Sequence, residues 1–321
     1  VNKEISDHSE NSIKQKIIRL LRDSREPLSG EVLSRKLSVS RVAVWKHIQK
    51  LKELGYRIFS QAQGYSMEES EDFLYPWEFQ EYSDRIHFFF ETESTMKVAR
   101  KLAESGCPHG TVVVAEKQTH GRGRLKRIWL SDKGGLYFTC IIKRSEQMSY
   151  SWQYSFAASL VVAKIFREQY NLPAVIKWPN DVLIEFDPSE YRKIAGILSD
   201  IQIESEYISY LNLGIGINVN NKPGLKTAVS MKELLGRPVS RRDLLYSFLR
   251  DFENTTAHPD RQKLLSEWRS YCMVLNKNVR VEIPGRVYQG IAVDVDEEGA
   301  LIIQTDNQGE QRILFGDCFL S

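Results

Sequence analysis

The chain has 321 residues, 42% of them hydrophobic, with 44 Lys and Arg against 42 Asp and Glu. That length and apolar content suit two or three folded domains and exclude a chain disordered along its whole length. No apolar run approaches the roughly 20 residues of a membrane helix. The opening segment, with Asn2, Lys3, Glu4 and Asp7, lacks the apolar core of a secretory signal, so a cytoplasmic protein with no membrane partner is expected.

The net charge of +2 is unevenly spread: residues 1–67 hold 13 basic against 7 acidic side chains, and the remainder is correspondingly acidic. This asymmetry points to a polyanion as partner of the first segment. Within it, Ile13, Ile17, Leu20 and Leu21 form a helical stripe, and a short helix carries Val32, Leu33 and Leu37. After the turn Ser38-Val39-Ser40, with Ser40 as N-cap, a helix runs to Gly55. Its inward stripe is Val44, Ile48, Leu51 and Leu54, which leaves Arg41, Val42, Trp45, Lys46, Gln49 and Lys50 for a major groove. Tyr56–Ser60 and Tyr65–Met67 then read as a wing. Residues 1–67 are thus expected to be a winged helix-turn-helix DNA-binding domain.

Residues 68–84 contain seven acidic and no basic residues and read as an acidic linker, with Pro76 opening a short helix. From Arg85 strands alternate with helices: His87–Phe90, a helix after Ser94, then Thr111–Glu116 and Leu136–Ile142. A long helix follows Trp152, and further strands are expected near Val175–Lys177, Val182–Glu185, Ile194–Ile203 and Tyr207–Val219. Mostly hairpin connections predict an α+β fold over 85–272, a central mixed sheet with helices on one side. Residues 273–321 hold four short strands, ending at Gln311–Phe315, and predict a small β-barrel. Cys107, Cys140, Cys272 and Cys318 show no Cys-x-x-Cys pairing, the histidines no His-x-x-x-His spacing, and no metal ligand is assigned.

Joining a nucleoside triphosphate to a carboxylate needs several fixed cations. Gly121-Arg122-Gly123-Arg124 supplies two guanidiniums on a pliant backbone, with Arg127 and Trp129 close behind. Alone, such a loop fits an RNA-binding segment or a plain surface loop as well. Lys177-Trp178-Pro179-Asn180-Asp181 sets a lysine, an amide and a carboxylate at a strand end, where an Asx turn is the structural alternative. Lys193 opens an apolar strand, a setting for a cation held at a reacting anion. Gly214-Ile215-Gly216-Ile217-Asn218 permits close backbone approach.

With Glu93-Ser94-Thr95, Gln118–Arg124, Lys177–Asp181, Arg192–Leu198 and Gly214–Asn218 in this order, the chain resembles biotin protein ligases, specifically the bifunctional bacterial kind that also represses biotin operons. The resemblance implies a class II synthetase-like core and an SH3-like C-terminal barrel. It implies that Ser94, Thr95, Gln118, Arg122 and Gly196 line a biotin pocket. Arg124, Arg127, Trp129, Lys177, Asn180, Asp181 and Asn218 would serve ATP and Mg2+, and Lys193 the biotin carboxylate and bridging phosphate. Arg124, Lys193 and Asp181 are then the catalytic set. Biotin would be adenylated and passed to a lysine of a biotin carboxyl carrier protein, while the first domain binds biotin operator DNA in a ligand-strengthened homodimer.

Three positions depart from the family pattern: Met96 stands where Asn usually follows Ser-Thr, Lys126 where glycine is common, and the hairpin through Phe186–Glu190 is longer. Two other readings are a biotin-sensing regulator that no longer catalyses and a lipoate or octanoyl ligase. The phosphate-handling set argues against the first, and the missing arginine- and glycine-rich lipoyl motif against the second.

Overall fold

The computed structural model describes residues 4–5, 8–68, 72–187, 189–305 and 309–321. Asn2, Lys3 and Asp7, Glu69 and Glu71 of the acidic stretch, and Pro188 of the hairpin lie outside them. The chain divides into two units, Lys3–Phe88 and Phe89–Ser321.

The first unit holds α1 (His8–Asp23), α2 (Gly30–Leu37) and α3 (Arg41–Glu53), followed by β1 (Ile58–Gln61) and β2 (Gly64–Met67). Ser29 and Ser40 cap α2 and α3: each side chain accepts from the N–H three residues on, Val32 and Ala43. Ser38 takes a left-handed conformation between the two helices and so turns the chain. Ile17, Ile18, Leu21, Leu33, Val44, Ile48 and Leu51 form the core. Ile18 is buried where the sequence stripe placed Leu20, and Leu54 is only partly covered. The β1–β2 wing is held at Leu28, which exchanges two 2.8 Å backbone hydrogen bonds with Tyr65. Gly64 permits this approach, since a Cβ there would lie 2.3 Å from the Leu28 carbonyl oxygen.

The acidic stretch is not a free linker. From Phe73 it lies against the winged helix: Tyr56, Phe73, Tyr75 and Trp77 form a run of ring contacts with centroids 4.6–5.2 Å apart along the pairs Tyr56–Phe73, Phe73–Tyr75 and Tyr75–Trp77. Glu78 is buried, takes Arg22 Nη1 at 2.7 Å and accepts from the Tyr56 hydroxyl. Trp77 Nε1 donates to that hydroxyl at 2.9 Å. Burial first, then the Glu78 carboxylate, push the Tyr56 phenol well above its ordinary pKa. Counting carboxylates concealed the aromatic residues between them, whose burial outweighs the local charge. Pro76–Glu78 does form the short helix expected there, as a 3-10 turn.

In the second unit, α4 (Thr95–Glu104) precedes β3 (Thr111–Ala115) and β4 (Leu136–Ile142). Helix α5 (Trp152–Tyr170) leads into β5 (Ala174–Lys177), β6 (Asp181–Asp187), β7 (Glu190–Glu204) and β8 (Tyr207–Ile217). The sheet runs β3-β4-β8-β7-β6-β5 through antiparallel pairings, joined by parallel bridges such as Lys193 to Ala228. Helices α6 (Met231–Leu235), α7 (Arg241–Ala257) and α8 (Arg261–Tyr271) follow. Phe138 of β4 packs edge-on to Phe248 of α7, and Phe156 of α5 stacks on Trp268 of α8. The opposite face carries α4, whose Ala99 and Ala103 pack with Val113, Ile141 and Tyr210.

Five strands close the chain: β9 (Asn278–Ile283), β10 (Arg286–Val295), β11 (Leu301–Thr305), β12 (Gly309–Ile313) and β13 (Asp317–Leu320). They form an antiparallel sheet ordered β12-β11-β10-β9-β13. The sequence pattern showed four strands; the fifth follows Gly316 and pairs with β9.

Candidate active site

The site lies on the α4 face of the sheet, in a cavity of about 260 Å3. Its floor is glycine: alternate residues of a strand share a face, and a Cβ on Gly214 would lie 2.6 Å from Met96 Sδ, one on Gly216 2.6 Å from Trp129 Nε1. At Gly196 of the neighbouring strand the Trp129 ring would be 3.0 Å away. The glycine-interrupted strand thus lets an indole and a thioether lie flat on backbone.

Gln118 organises one end. Its Oε1 accepts from Thr95 N at 2.8 Å and Thr95 Oγ1 at 3.1 Å, and its Nε2 donates to Ser131 Oγ at 2.8 Å. Thr139 Oγ1 donates to Thr95 Oγ1 at 2.9 Å from below. Ser94, the residue before α4, makes no capping bond, and its buried Oγ finds no partner among the described residues. Trp129 Nε1 is likewise buried and unpartnered. Buried polar atoms are normally satisfied, so the cavity offers hydrogen-bonding capacity to a ligand.

The Gly-Arg loop is a tight hairpin: Arg122 bridges Ile128, Gly123 N donates to Arg127 O at 2.8 Å, and Trp129 N to Gly121 O at 3.0 Å. Leu125 at its tip has a φ of 51°, so it, and not Lys126 beside it, takes the left-handed conformation. Arg124 Nη1 donates to Asn180 Oδ1 at 3.3 Å and to Gly316 O at 3.1 Å. Burial lowers the Arg124 pKa, opposed by the Asp317 and Asp181 carboxylates. Arg127 pairs with Asp317.

Lys193 Nζ is 2.7 Å from Asp181 Oδ1 and 5.1 Å from the Trp129 ring centroid. Asn180 reaches back to the Ile197 carbonyl, and Asn218 is held by Asn221 Nδ2 at 3.1 Å. Ser94, Thr95, Gln118, Arg122, Arg124, Arg127, Trp129, Asn180, Asp181, Lys193, Gly196 and Asn218 all line the one cavity. Lys177 does not: its ammonium lies 5.1 Å from the Phe319 ring centroid, drawn to the C-terminal sheet. Trp178, after which the peptide to Pro179 is cis, is buried with its Nε1 donating to Gly299 O at 3.0 Å. Asp317 was missed by sequence reasoning, as it sits in the strand whose existence the pattern did not signal.

Three family models match the chain: an HTH domain over residues 14–66, the biotin/lipoate A/B protein ligase family over 89–218, and a biotin protein ligase C-terminal domain over 274–321. The bifunctional ligase/repressor BirA of Bacillus subtilis (strain 168) is 33% identical over 91% of this chain and 93% of its own. The chain belongs to the biotin protein ligase family. BirA of Escherichia coli (strain K12) is 27% identical to this ligase over 92% of the chain and 94% of its own. Among solved structures, the biotin protein ligase from Aquifex aeolicus in complex with biotin and ATP superposes with a TM-score of 0.61 at 28% identity, covering 74% of this chain and 98% of that one.

Proposed function

We propose that the protein is an ATP-dependent biotin protein ligase and a biotin-responsive transcriptional repressor. The observation that carries the ligase reading is the meeting, in one cavity, of the unpartnered Ser94 Oγ and Trp129 Nε1 with the charged set Arg122, Arg124, Lys193 and Asp181. The Ser94 hydroxyl suits a small neutral polar ring, the Trp129 indole a nucleotide base, and the charged set a carboxylate and a polyphosphate.

In the first step a biotin carboxylate oxygen bonds to the α-phosphorus of ATP, and the bond from that phosphorus to the bridging oxygen breaks, releasing pyrophosphate. In the second a carrier-protein lysine amine attacks the acyl carbon, AMP leaves with the electron pair of the C–O bond, and the amine loses a proton. Ser94, Thr95, Gln118, Arg122 and the backbone at Gly196 hold biotin. Lys193 neutralises the reacting carboxylate and the bridging oxygen. Arg124, Arg127, Trp129, Asn180, Asp181 and Asn218 hold the nucleotide; Lys177, outside the lining, is given no part. Mg2+ bound to the phosphates would offset their charge. Asp181, in the cavity lining, would be the protein carboxylate beside that cation. The hairpin over Trp129 excludes water from the acyl adenylate.

The first unit reads DNA. Arg41, Trp45, Lys46 and Lys50 are exposed on α3, and Gln49 is half-buried beside them. The relatives named as ligase/repressors support a carrier protein and operator DNA as partners. Family likeness also supports a homodimer in the cytoplasm, and no helix among the described residues is long and apolar enough to cross a membrane. The test is exchange of labelled pyrophosphate into ATP with biotin or lipoate as the acid. Exchange with biotin alone is expected; none with either would leave a sensor, and exchange with lipoate alone would change the substrate.

A further inference from the structure

Three of the four cations that line the cavity are already engaged. Lys193 is paired with Asp181, Arg124 with a carbonyl and an amide oxygen, and Arg127 with Asp317. The last pair is asymmetric: the Arg127 side chain is 62% exposed, the Asp317 side chain 13%. The carboxylate is the fixed partner, because Asp317 sits in β13, paired with Glu282 of β9. Gly316, which holds Arg124, is packed so closely on β9 that a Cβ would lie 2.8 Å from Val281 Cγ1. Two adjacent residues of the C-terminal sheet therefore grip two arginines of the hairpin. The cavity lining holds Arg122, Arg124, Arg127 and Lys193 against Asp181 and Asp317, four cations to two carboxylates. A triphosphate entering it meets Asp317 as a like charge and Arg127 as a cation in use.

We propose that Asp317 is a positioning residue for ligation: it holds Arg127, and with it the hairpin, as an exchangeable counter-ion that the phosphates of ATP displace. The inference rests on the reading of Arg127 as an ATP contact. It follows that the C-terminal sheet keeps the hairpin placed while the nucleotide site is empty, and that ATP binding includes the breaking of one ion pair. Removing the Asp317 charge frees Arg127 and leaves the cavity one unit more positive. ATP should then bind more tightly, while the hairpin loses an anchor and retains the adenylate less well. A residue that merely stabilised the fold would move the first quantity the other way.

The test measures KM for ATP by biotin-dependent pyrophosphate exchange in full-length wild type, D317N, D317E, R127A and the D317N/R127A double variant. A partly exposed ion pair is worth up to about fivefold. D317N should lower KM for ATP by about threefold to fivefold and speed release of the acyl adenylate. D317E, which keeps the charge, should stay within about twofold of wild type on the same scale. R127A should raise KM, and D317N on the R127A background should lower it by clearly less than on wild type, since only the like-charge repulsion, and no longer the ion pair, is left to remove. A D317N protein with raised KM, or one whose effect persists in full on the R127A background, overturns the proposal. If R127A raises KM and D317N leaves it unchanged, the inference falls and the ATP reading stands. If R127A leaves KM unchanged, both fall. D317S serves the same comparisons if the thermal melt shows D317N unfolded.

Discussion

Lys193 Nζ lies 2.7 Å from Asp181 Oδ1, across the β6–β7 pair, at the edge of the cavity. Both side chains keep a quarter to a third of their exposure, so the pair adds little to stability and its charge is available to a ligand. Lys193→Ala should cut adenylate formation by about a hundredfold, near 3 kcal/mol of transition-state stabilisation, while thermal unfolding shifts little. Adenylation within threefold of wild type would remove Lys193 from the mechanism.

Arg124→Ala should have a different signature. It breaks the contacts to Asn180 and Gly316 that hold the hairpin over the cavity, so retention of the intermediate suffers along with its formation. The expected outcome is faster escape of biotinyl-adenylate and stray labelling of nearby lysines, read by mass spectrometry. An unchanged release rate would show that the hairpin does not act as a lid.

The fragment that binds DNA should end near Phe88, not near Met67. A chain cut at about Ser70 loses Phe73, Tyr75, Trp77 and the buried Glu78 with its Arg22 and Tyr56 partners. The cut strips the ring contacts and both Glu78 contacts from the winged helix and exposes apolar surface, so residues 1–70 should melt well below residues 1–88. The longer fragment should bind operator DNA with a steep salt dependence from Arg41, Lys46 and Lys50, and residues 85–321 should keep ligase activity. A ligase fragment that still shifts operator DNA would place the reader in the wrong unit.

Thiol reactivity should be selective. Burial pushes the Cys272 thiol up to about 12 and that of Cys318 up to about 11, so neither forms appreciable thiolate at neutral pH. Cys107 is only partly covered, and all four cysteines are free. Iodoacetamide at pH 8 should label Cys107 in the native protein and reach Cys140, Cys272 and Cys318 only after unfolding. Rapid native labelling of Cys318 would mean that β13 leaves its place.

Asn212 lies buried in β8 with neither side-chain amide atom partnered among the described residues. An apolar group of the same shape removes that desolvation cost. Asn212→Leu should therefore be neutral or stabilising, by up to about 1–3 kcal/mol, measured by denaturant midpoint; a loss of more than about 1 kcal/mol would mean that a bound water or ligand satisfies the amide.

The parts of this protein that were legible in its sequence are those whose chemistry is local. Ser40 caps α3 because a serine hydroxyl reaches the N–H three residues on, and the glycines at 214 and 216 are where side chains must cross backbone. Arg122 and Arg124 of the Gly-Arg loop, and Asn180 and Asp181, likewise line the cavity. What stayed hidden depends on distant partners. The aromatic residues within 73–82 look like a charged tether until Tyr56 and Arg22 are placed beside them. Asp317 becomes a site residue only because Arg127, 190 positions earlier, reaches it. Lys177 looked suited to phosphate and is instead claimed by Phe319.

The glycine floor separates two kinds of evolutionary freedom. Over Gly196, Gly214 and Gly216 the covering side chains are Met96 and Trp129, lent by a helix and a hairpin, with Lys193 the sheet's own contribution at Gly196. Ladder hydrogen bonds hold the floor, and neither lender takes part in them. The contour of the pocket can be redrawn by changing what is lent, with the sheet beneath left as it is.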